Sequence, residues 1–394
     1  MEDKTVWILG SGFSKPLGGP LLRDLFRQEN EEDTAAFFPE KIYPGLAKAL
    51  PWVQKIFHNG VKDGFWENAE QFLGYVDDAY HDKPNNPHRR RIAHLINRSD
   101  VNKPRERQGL SGLDPLQAYY VYKDNLHNDF DKKVKRALAS DCFRFTMNAD
   151  CESELWDPHT DWVDSLVEGV DTIVSFNYDL VVEMAGNVST STAKIHVVAP
   201  SPTAHLSDLP TDKVPLIKLH GSVNWRMQAD ASGKRTISPE TVPADTVLRS
   251  EDDDLAIAAP GGSKARFVSS YLGPLWVLAE RALEEATAVM VVGYSFPDTD
   301  PMASRRLLQA LERRTGALRR QAHIILGADV TTPPSQRVVS LLKSTSNARP
   351  IMPLGQLIAN RGNDGLAVHQ LPLGTQDFIG RHRSFLSALA VETD

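Results

Sequence analysis

Five short, mainly apolar runs, each closed by small or polar residues, constrain this chain more than any single motif in it. Val6–Leu9 ends at Gly10-Ser11-Gly12, and Asp171–Phe176 at Asn177-Tyr178-Asp179. Val214–Leu219 ends at His220-Gly221-Ser222, Ala288–Val292 at Gly293-Tyr294-Ser295, and His323–Leu326 at Gly327-Ala328-Asp329. Apolar runs without alternation read as strands buried on both faces, the pattern of a parallel sheet. Parallel strands bring their carboxyl ends to one edge, where open α/β folds bind ligands. The predicted fold class is α/β: a Rossmann-like, mostly parallel sheet flanked by helices. The glycine loop, Asn177, Asp179, His220, Ser222 and Ser295 then converge from distant parts of the sequence.

The first of these junctions is the most specific. After Gly10-Ser11-Gly12 come Phe13 and Ser14, then Gly18-Gly19-Pro20, then Leu21, Leu22, Leu25 and Phe26 at helical spacing. Strand, glycine turn and helix open a nucleotide-binding unit. Glycine has no Cβ and tolerates positive φ, so the backbone can approach a pyrophosphate and aim N–H groups at it. A helix N-terminus adds partial positive charge on the same side. Lys15 stands where the G-x-G-x-x-G fingerprint requires glycine, so an ordinary dehydrogenase fingerprint is not met. A tight turn that only packs a helix on a sheet is the competing reading of this stretch.

The chain of 394 residues is 41% hydrophobic and 24% charged, ordinary for a globular protein. A net charge of −7 argues against a wide intrinsic nucleic-acid surface. No signal peptide or membrane span is expected, which predicts a cytoplasmic location. Cys142 and Cys151 can build neither a disulfide framework nor a four-cysteine zinc site. No metal is predicted.

Between the first and second runs, apolar residues recur at helical intervals, as in Phe65, Trp66, Ala69, Phe72, Leu73 and Val76, and again over 116–130. Residues 36–164 are therefore expected to form a large helical insertion. Residues 1–35 and 165–335 would be the nucleotide-binding core, and 336–394 a C-terminal segment packing on it. His88-Arg89-Arg90-Arg91, with Arg98, Arg105 and Arg107, is the most basic stretch; it reads as a solvated face or a partner contact. Residues 229–265 read as an irregular excursion. Helices are expected over 267–287 and 301–314.

Taken in order, GSGFS with GGP, SFNYD, KLHGS followed by Trp225, and VVGYSFPDTD resemble the sirtuin-like (Sir2-like) domains of bacterial anti-phage defence proteins. The resemblance covers nearly the whole chain. It implies an NAD-consuming enzyme with NAD as substrate, and Asn177 and His220 as the catalytic pair. It also implies that Gly10, Ser11, Gly12, Phe13, Ser14, Asp179, Ser222, Gly293 and Ser295 hold pyrophosphate and ribose. Sirtuin deacylases carry a four-cysteine zinc module that this chain lacks, which favours NAD hydrolysis over peptide deacylation. Ser11 replaces the commoner alanine of the loop, and Ala328 stands where related proteins often have asparagine. The resemblance further implies an NAD-depleting effector in anti-phage defence by abortive infection. It implies a homo-oligomer and a HerA-type ATPase or Argonaute-like partner, with nucleic acid engaged only through that partner.

The residue types suit the chemistry. Nicotinamide leaves NAD as a neutral molecule, so no strong general acid is needed. An oxocarbenium-like ribose, a positioned water and a proton acceptor are needed. An asparagine amide can hold a water or hydroxyl by donating and accepting together. A histidine can take a proton near neutral pH. Asn177 is thus expected to orient nucleophile and ribose, and His220 to act as general base. Asn177 could instead cap a helix, Asp179 could support that helix's first turn, and Asp298 and Asp300 could be caps of the next one or ligands. A sensor that binds NAD or ADP-ribose without turnover, an assembly subunit, and an ADP-ribosyl transferase are the rival functions.

Overall fold

The computed structural model describes residues 4–26, 37–39, 41–81, 87–99, 130–147, 149–188, 194–201, 205–229, 232–238, 244–249, 255–261, 263–298, 300–313, 320–343 and 366–380. The expected helical run over 116–130 lies outside these residues except for Phe130, as do Arg105 and Arg107. The chain divides into two compact units. The first comprises Met1–Leu21, Phe145–Ser222 and Val268–Asp394; the second comprises Leu22–Arg144 and Val223–Phe267.

The strands in chain order are β1 (Thr5–Leu9), β2 (Asp171–Ser175), β3 (Ile195–Val197), β4 (Val214–Lys218), β5 (Gly221–Ala229), β6 (Arg235–Ser238), β7 (Leu255–Ile257), β8 (Ala288–Val292), β9 (Arg320–Ile325) and β10 (Leu366–Gln370). Seven of them form the sheet of the first unit, in the order β10-β9-β8-β1-β2-β4-β3, and every neighbouring pair is parallel. The α/β class and the Rossmann-like sheet follow. Chain direction across the sheet reverses between β1 and β8: β1 leads to β2 on one side, and β8 to β9 on the other. That reversal is a switch point, where the carboxyl edge of a parallel sheet opens a crevice.

Register aligns the strand ends. Leu9 pairs with Ser175 on one side and Val292 on the other, Ser175 with Lys218, and Val292 with Ile325. The next residues of these strands, Gly10, Phe176, Leu219 and Gly293, therefore emerge on one edge. Below them lies the core: Trp7, Leu9 and Phe13 pack with Trp156, Trp162, Val163, Ile173, Val181, Leu216 and Met290. Trp7 meets Trp162 edge-on at 5.4 Å, and Phe13 meets Trp162 at 4.9 Å. Burying each such ring contributes about 1.5–3 kcal/mol.

These contacts place the helix Asp157–Ser165 in the first unit, short of the expected boundary at 164. Two strands of this seven-stranded sheet went unforeseen. Both β3 and β10 carry a histidine, His196 and His369, that interrupts a short apolar run. The expected helix from Leu21 to Phe26 is replaced by a helical turn at Ser11–Ser14 and two 3₁₀ turns, Lys15–Leu17 and Leu22–Asp24. Gly18 at φ +94° ends the first 3₁₀ turn in the left-handed region, and Pro20 supplies no N–H with which a helix could continue.

The second unit is built on the helices Pro44–Lys62, Ala69–His81, Pro87–Ser99 and Phe130–Arg144, with a small sheet of order β6-β5-β7. Its core is aromatic: Phe26, Phe57, Trp66, Phe72 and Phe130 pack together, and Trp66 donates its indole N–H to the Phe57 carbonyl. The stretch read as an irregular excursion, 229–265, supplies β6 and β7, the two outer strands of that sheet, and groups with these helices. Trp225 is buried here, in β5.

Candidate active site

The glycines after β1 and β8 are required by each other. A Cβ on Gly10 would stand 2.6 Å from the Gly293 carbonyl oxygen and the Tyr294 Cα, and one on Gly12 would stand 2.6 Å from the Gly293 Cα. One on Gly293, itself at φ +68°, would stand 2.4 Å from the Phe13 nitrogen. Gly10 N–H donates to the Val292 carbonyl and Gly12 N–H to the Gly293 carbonyl. The missing side chains let two loops interlock backbone to backbone at the switch point. A single helical turn at Ser11–Ser14 is too short to sum into a large dipole.

Phe13 is anchored away from the edge. Its ring lies in the core, its N–H donates to the Gly10 carbonyl, and its carbonyl accepts from His159 Nε2 over 2.9 Å. Burial holds the His159 ring below the usual histidine range, with the Phe13 carbonyl opposing, so this ring stays a neutral donor. Phe13, expected among the ligand-holding residues, fixes the loop from beneath.

Asn177 follows β2 and is buried. Its Nδ2 donates to the Gly10 carbonyl at 3.0 Å and to Ser14 Oγ at 3.2 Å. Ser14 Oγ donates onward to Asp179 Oδ2 at 2.8 Å, and Asp179 Oδ1 accepts from Val181 N–H at the start of the helix Val181–Val188. Both amide hydrogens of Asn177 are thus committed, and Oδ1 has no hydrogen-bond partner among the described residues. The amide can accept from a ligand hydroxyl or a water. It cannot also donate, as the sequence reading supposed.

Asp179 is fully enclosed. Burial raises its pKa, opposed by Lys218, Ser14 and Val181 N–H. Both its oxygens and the Ser14 hydroxyl serve the protein, so these two residues set the pose of Asn177. Ser222 is likewise enclosed, with Oγ 2.7 Å from Lys218 Nζ. Lys218, only 1% exposed, also donates to the Asp179 carbonyl and to Glu183 Oε1 at 2.8 Å. Sequence reasoning passed over Lys218, although a lone lysine ending the apolar run V-P-L-I-K was the available signal.

His220 follows β4 and sits among rings: Phe176 at 4.9 Å, Tyr178 at 6.0 Å and Trp276 at 6.4 Å. Phe176 stacks flat on Tyr294 at 3.8 Å, and Trp276 Nε1–H donates to the Leu219 carbonyl. His220 Nε2 stands 2.9 Å from Asp300 Oδ2, which also accepts from Tyr294 OH. Asp300 was foreseen only as a cap or a ligand. The second aspartate of P-D-T-D, immediately before Pro301, was the signal for its place. Ser11 and Ser295 are half-buried, and their hydroxyls have no hydrogen-bond partner among the described residues. Phe296, at φ +47°, turns the chain beyond Ser295.

Residues 171–351 match the family model of the SIR2-like domain. The chain carries a SIR2-like domain. The match spans β2 to beyond β9 and contains Asn177, His220, Ser295 and Asp300; β1 and its glycine loop lie outside it. No curated protein matches the chain. SIR2-like domains use NAD. The donor set fits that use: the Asn177 oxygen, the Ser11 and Ser295 hydroxyls and an imidazole suit a ribose and a water. Among the described residues no group of three or more His, Cys, Asp or Glu is placed to hold a metal.

Proposed function

We propose that the SIR2-like domain hydrolyses NAD⁺ at the bond between nicotinamide and ribose, giving nicotinamide and ADP-ribose. The observation that carries this reading is the placement of Asn177 and His220 after two paired strands, β2 and β4, within the residues that match the SIR2-like domain. In this reading the ribose–nitrogen bond breaks and nicotinamide leaves neutral with its electron pair. A water oxygen bonds to the anomeric carbon, and the water's proton passes to His220. Asn177 Oδ1 accepts a hydrogen bond from that water or from a ribose hydroxyl. The rings of Phe176, Tyr178 and Trp276 shield His220 from bulk water, which strengthens each charge interaction around it.

The biological role we propose is NAD depletion in anti-phage defence, gated by self-assembly or by a partner ATPase or Argonaute-like protein. The order of the sequence motifs supports this role. The test is incubation of the purified chain with NAD⁺, with identification of the products. Nicotinamide with ADP-ribose supports hydrolysis; a cyclic product would keep the site and change the nucleophile. NAD⁺ bound and left intact, with and without nucleic acid and candidate partners, would replace the hydrolase with a sensor.

A further inference from the structure

We propose that Asp300 is the positioning residue of His220, holding the ring and serving as counter-ion to the imidazolium formed when His220 takes a proton. The inference rests on the hydrolase reading for its reaction, and on geometry for the pairing.

Two buried groups meet here, Nε2 of His220 and Oδ2 of Asp300, 2.9 Å apart. The approach has ion-pair length without the alignment of a linear hydrogen bond. It is therefore strongest when the ring is charged, the state reached after proton transfer. The carboxylate is held from two sides and its backbone from a third. Tyr294 OH donates to Oδ2 at 3.3 Å, Ala303 N–H to Oδ1 at 3.3 Å, and Asp300's own N–H to the Pro297 carbonyl at 2.9 Å. Fixed at the first turn of the helix Pro301–Arg313, it needs no reorganisation when charge develops on the ring. The rings packed on His220, those of Phe176, Tyr178 and Trp276, bring no carboxylate of their own. Asp300 lies 80 residues from His220 in sequence and reaches it because β8 and β4 end on the same sheet edge.

The test is Asp300→Asn, because asparagine keeps the helix cap and removes only the charge. NAD⁺ turnover by this variant should show kcat reduced about 10- to 100-fold, part of the roughly 10²–10⁴ a general base supplies, with KM nearly unchanged. In a His220→Ala background the same change should have no further effect, because Asp300 acts through the ring. Side-chain ¹⁵N spectra at a pH of about 6.5 should show a smaller imidazolium fraction for His220 in Asp300→Asn than in wild type. Wild-type kcat in Asp300→Asn, or equal losses with and without His220, would overturn the proposal. If the wild-type chain leaves NAD⁺ intact, the hydrolase reading fails while the spectra still decide the pairing: an unchanged His220 ring overturns it.

Discussion

Asn177 Nδ2 donates to the Gly10 carbonyl over 3.0 Å, tying the end of β2 to the end of β1 across 167 residues of sequence. Its second hydrogen goes to Ser14 Oγ, and the Ser14 hydrogen to Asp179. The chain of donors runs one way, so the amide has one orientation and presents only oxygen outward.

That directionality predicts the outcome of Asn177→Asp. An aspartate oxygen would face the Gly10 carbonyl with no hydrogen between them, and Ser14 has already spent its own. Stability should fall by about 1–3 kcal/mol for the unmade bonds. Turnover should be lost together with it. Urea unfolding beside an NAD⁺ assay measures both; a variant as stable as wild type would mean that the amide is not held as described.

The interlocked glycines predict a cost with no chemical component. Gly293→Ala sets a Cβ 2.4 Å from the Phe13 nitrogen at a φ that disfavours side chains. Overpacking of this kind costs roughly 1–3 kcal/mol or more. Gly12→Ala should behave alike, since its Cβ meets the Gly293 backbone at 2.6 Å. Denaturant midpoints unchanged in both would show that the loops separate freely.

Much of this edge was legible in the sequence because two simple signals coincide there. Uninterrupted apolar runs mark buried parallel strands, and the polar residues that close them mark the edge. Asn177 and His220 fall at such ends, so sequence placed them together. Roles that depend on direction were not legible. Nothing in G-S-G-F-S says that Phe13 points into the core, that Ser14 turns to Asp179, or that Gly10 and Gly12 are pressed by Gly293. Those facts arise from pairing of β1 with β2 on one side and β8 on the other, both far away in sequence. The strands β3 and β10 escaped because a histidine breaks the apolar pattern in each.

Lys218 offers a third prediction. Its ammonium joins the Asp179 carbonyl, Glu183 and Ser222 beneath the site, and Glu183 is itself mostly buried. Lys218→Met would leave the Glu183 carboxylate without its counter-charge, at a cost of about 3 kcal/mol. Adding Glu183→Gln to that variant should restore part of the loss. Unfolding free energies of the two single variants and the double variant decide it, and strict additivity would refute the pairing.

Acid stability should carry the mark of His323. Its ring stacks on His369 at 4.9 Å in adjacent strands, and burial, with His369 nearby, pushes its pKa down to about 3. Unfolded, it titrates near about 6.5. Between these values the unfolded chain binds a proton that the folded chain does not, so stability falls as pH drops through that window. The slope contributed is up to about 1.4 kcal/mol per pH unit. Asp171 and Asp179 act with the opposite sign. Their raised pKa values make folding gain as pH falls from those values toward the ordinary carboxylate range. Comparing wild type with His323→Leu from about pH 6 to about pH 4 isolates the histidine. A stability difference that does not vary with pH would contradict its buried neutral state.

The most direct test of the account is nicotinamide release from NAD⁺ by the wild-type chain beside Asn177→Ala and His220→Ala, with all three proteins shown to be folded. The account predicts release of nicotinamide and ADP-ribose by wild type, and loss of at least about 100-fold in each variant. Wild-type rates in His220→Ala, or NAD⁺ bound and uncleaved by the wild-type chain, would contradict it.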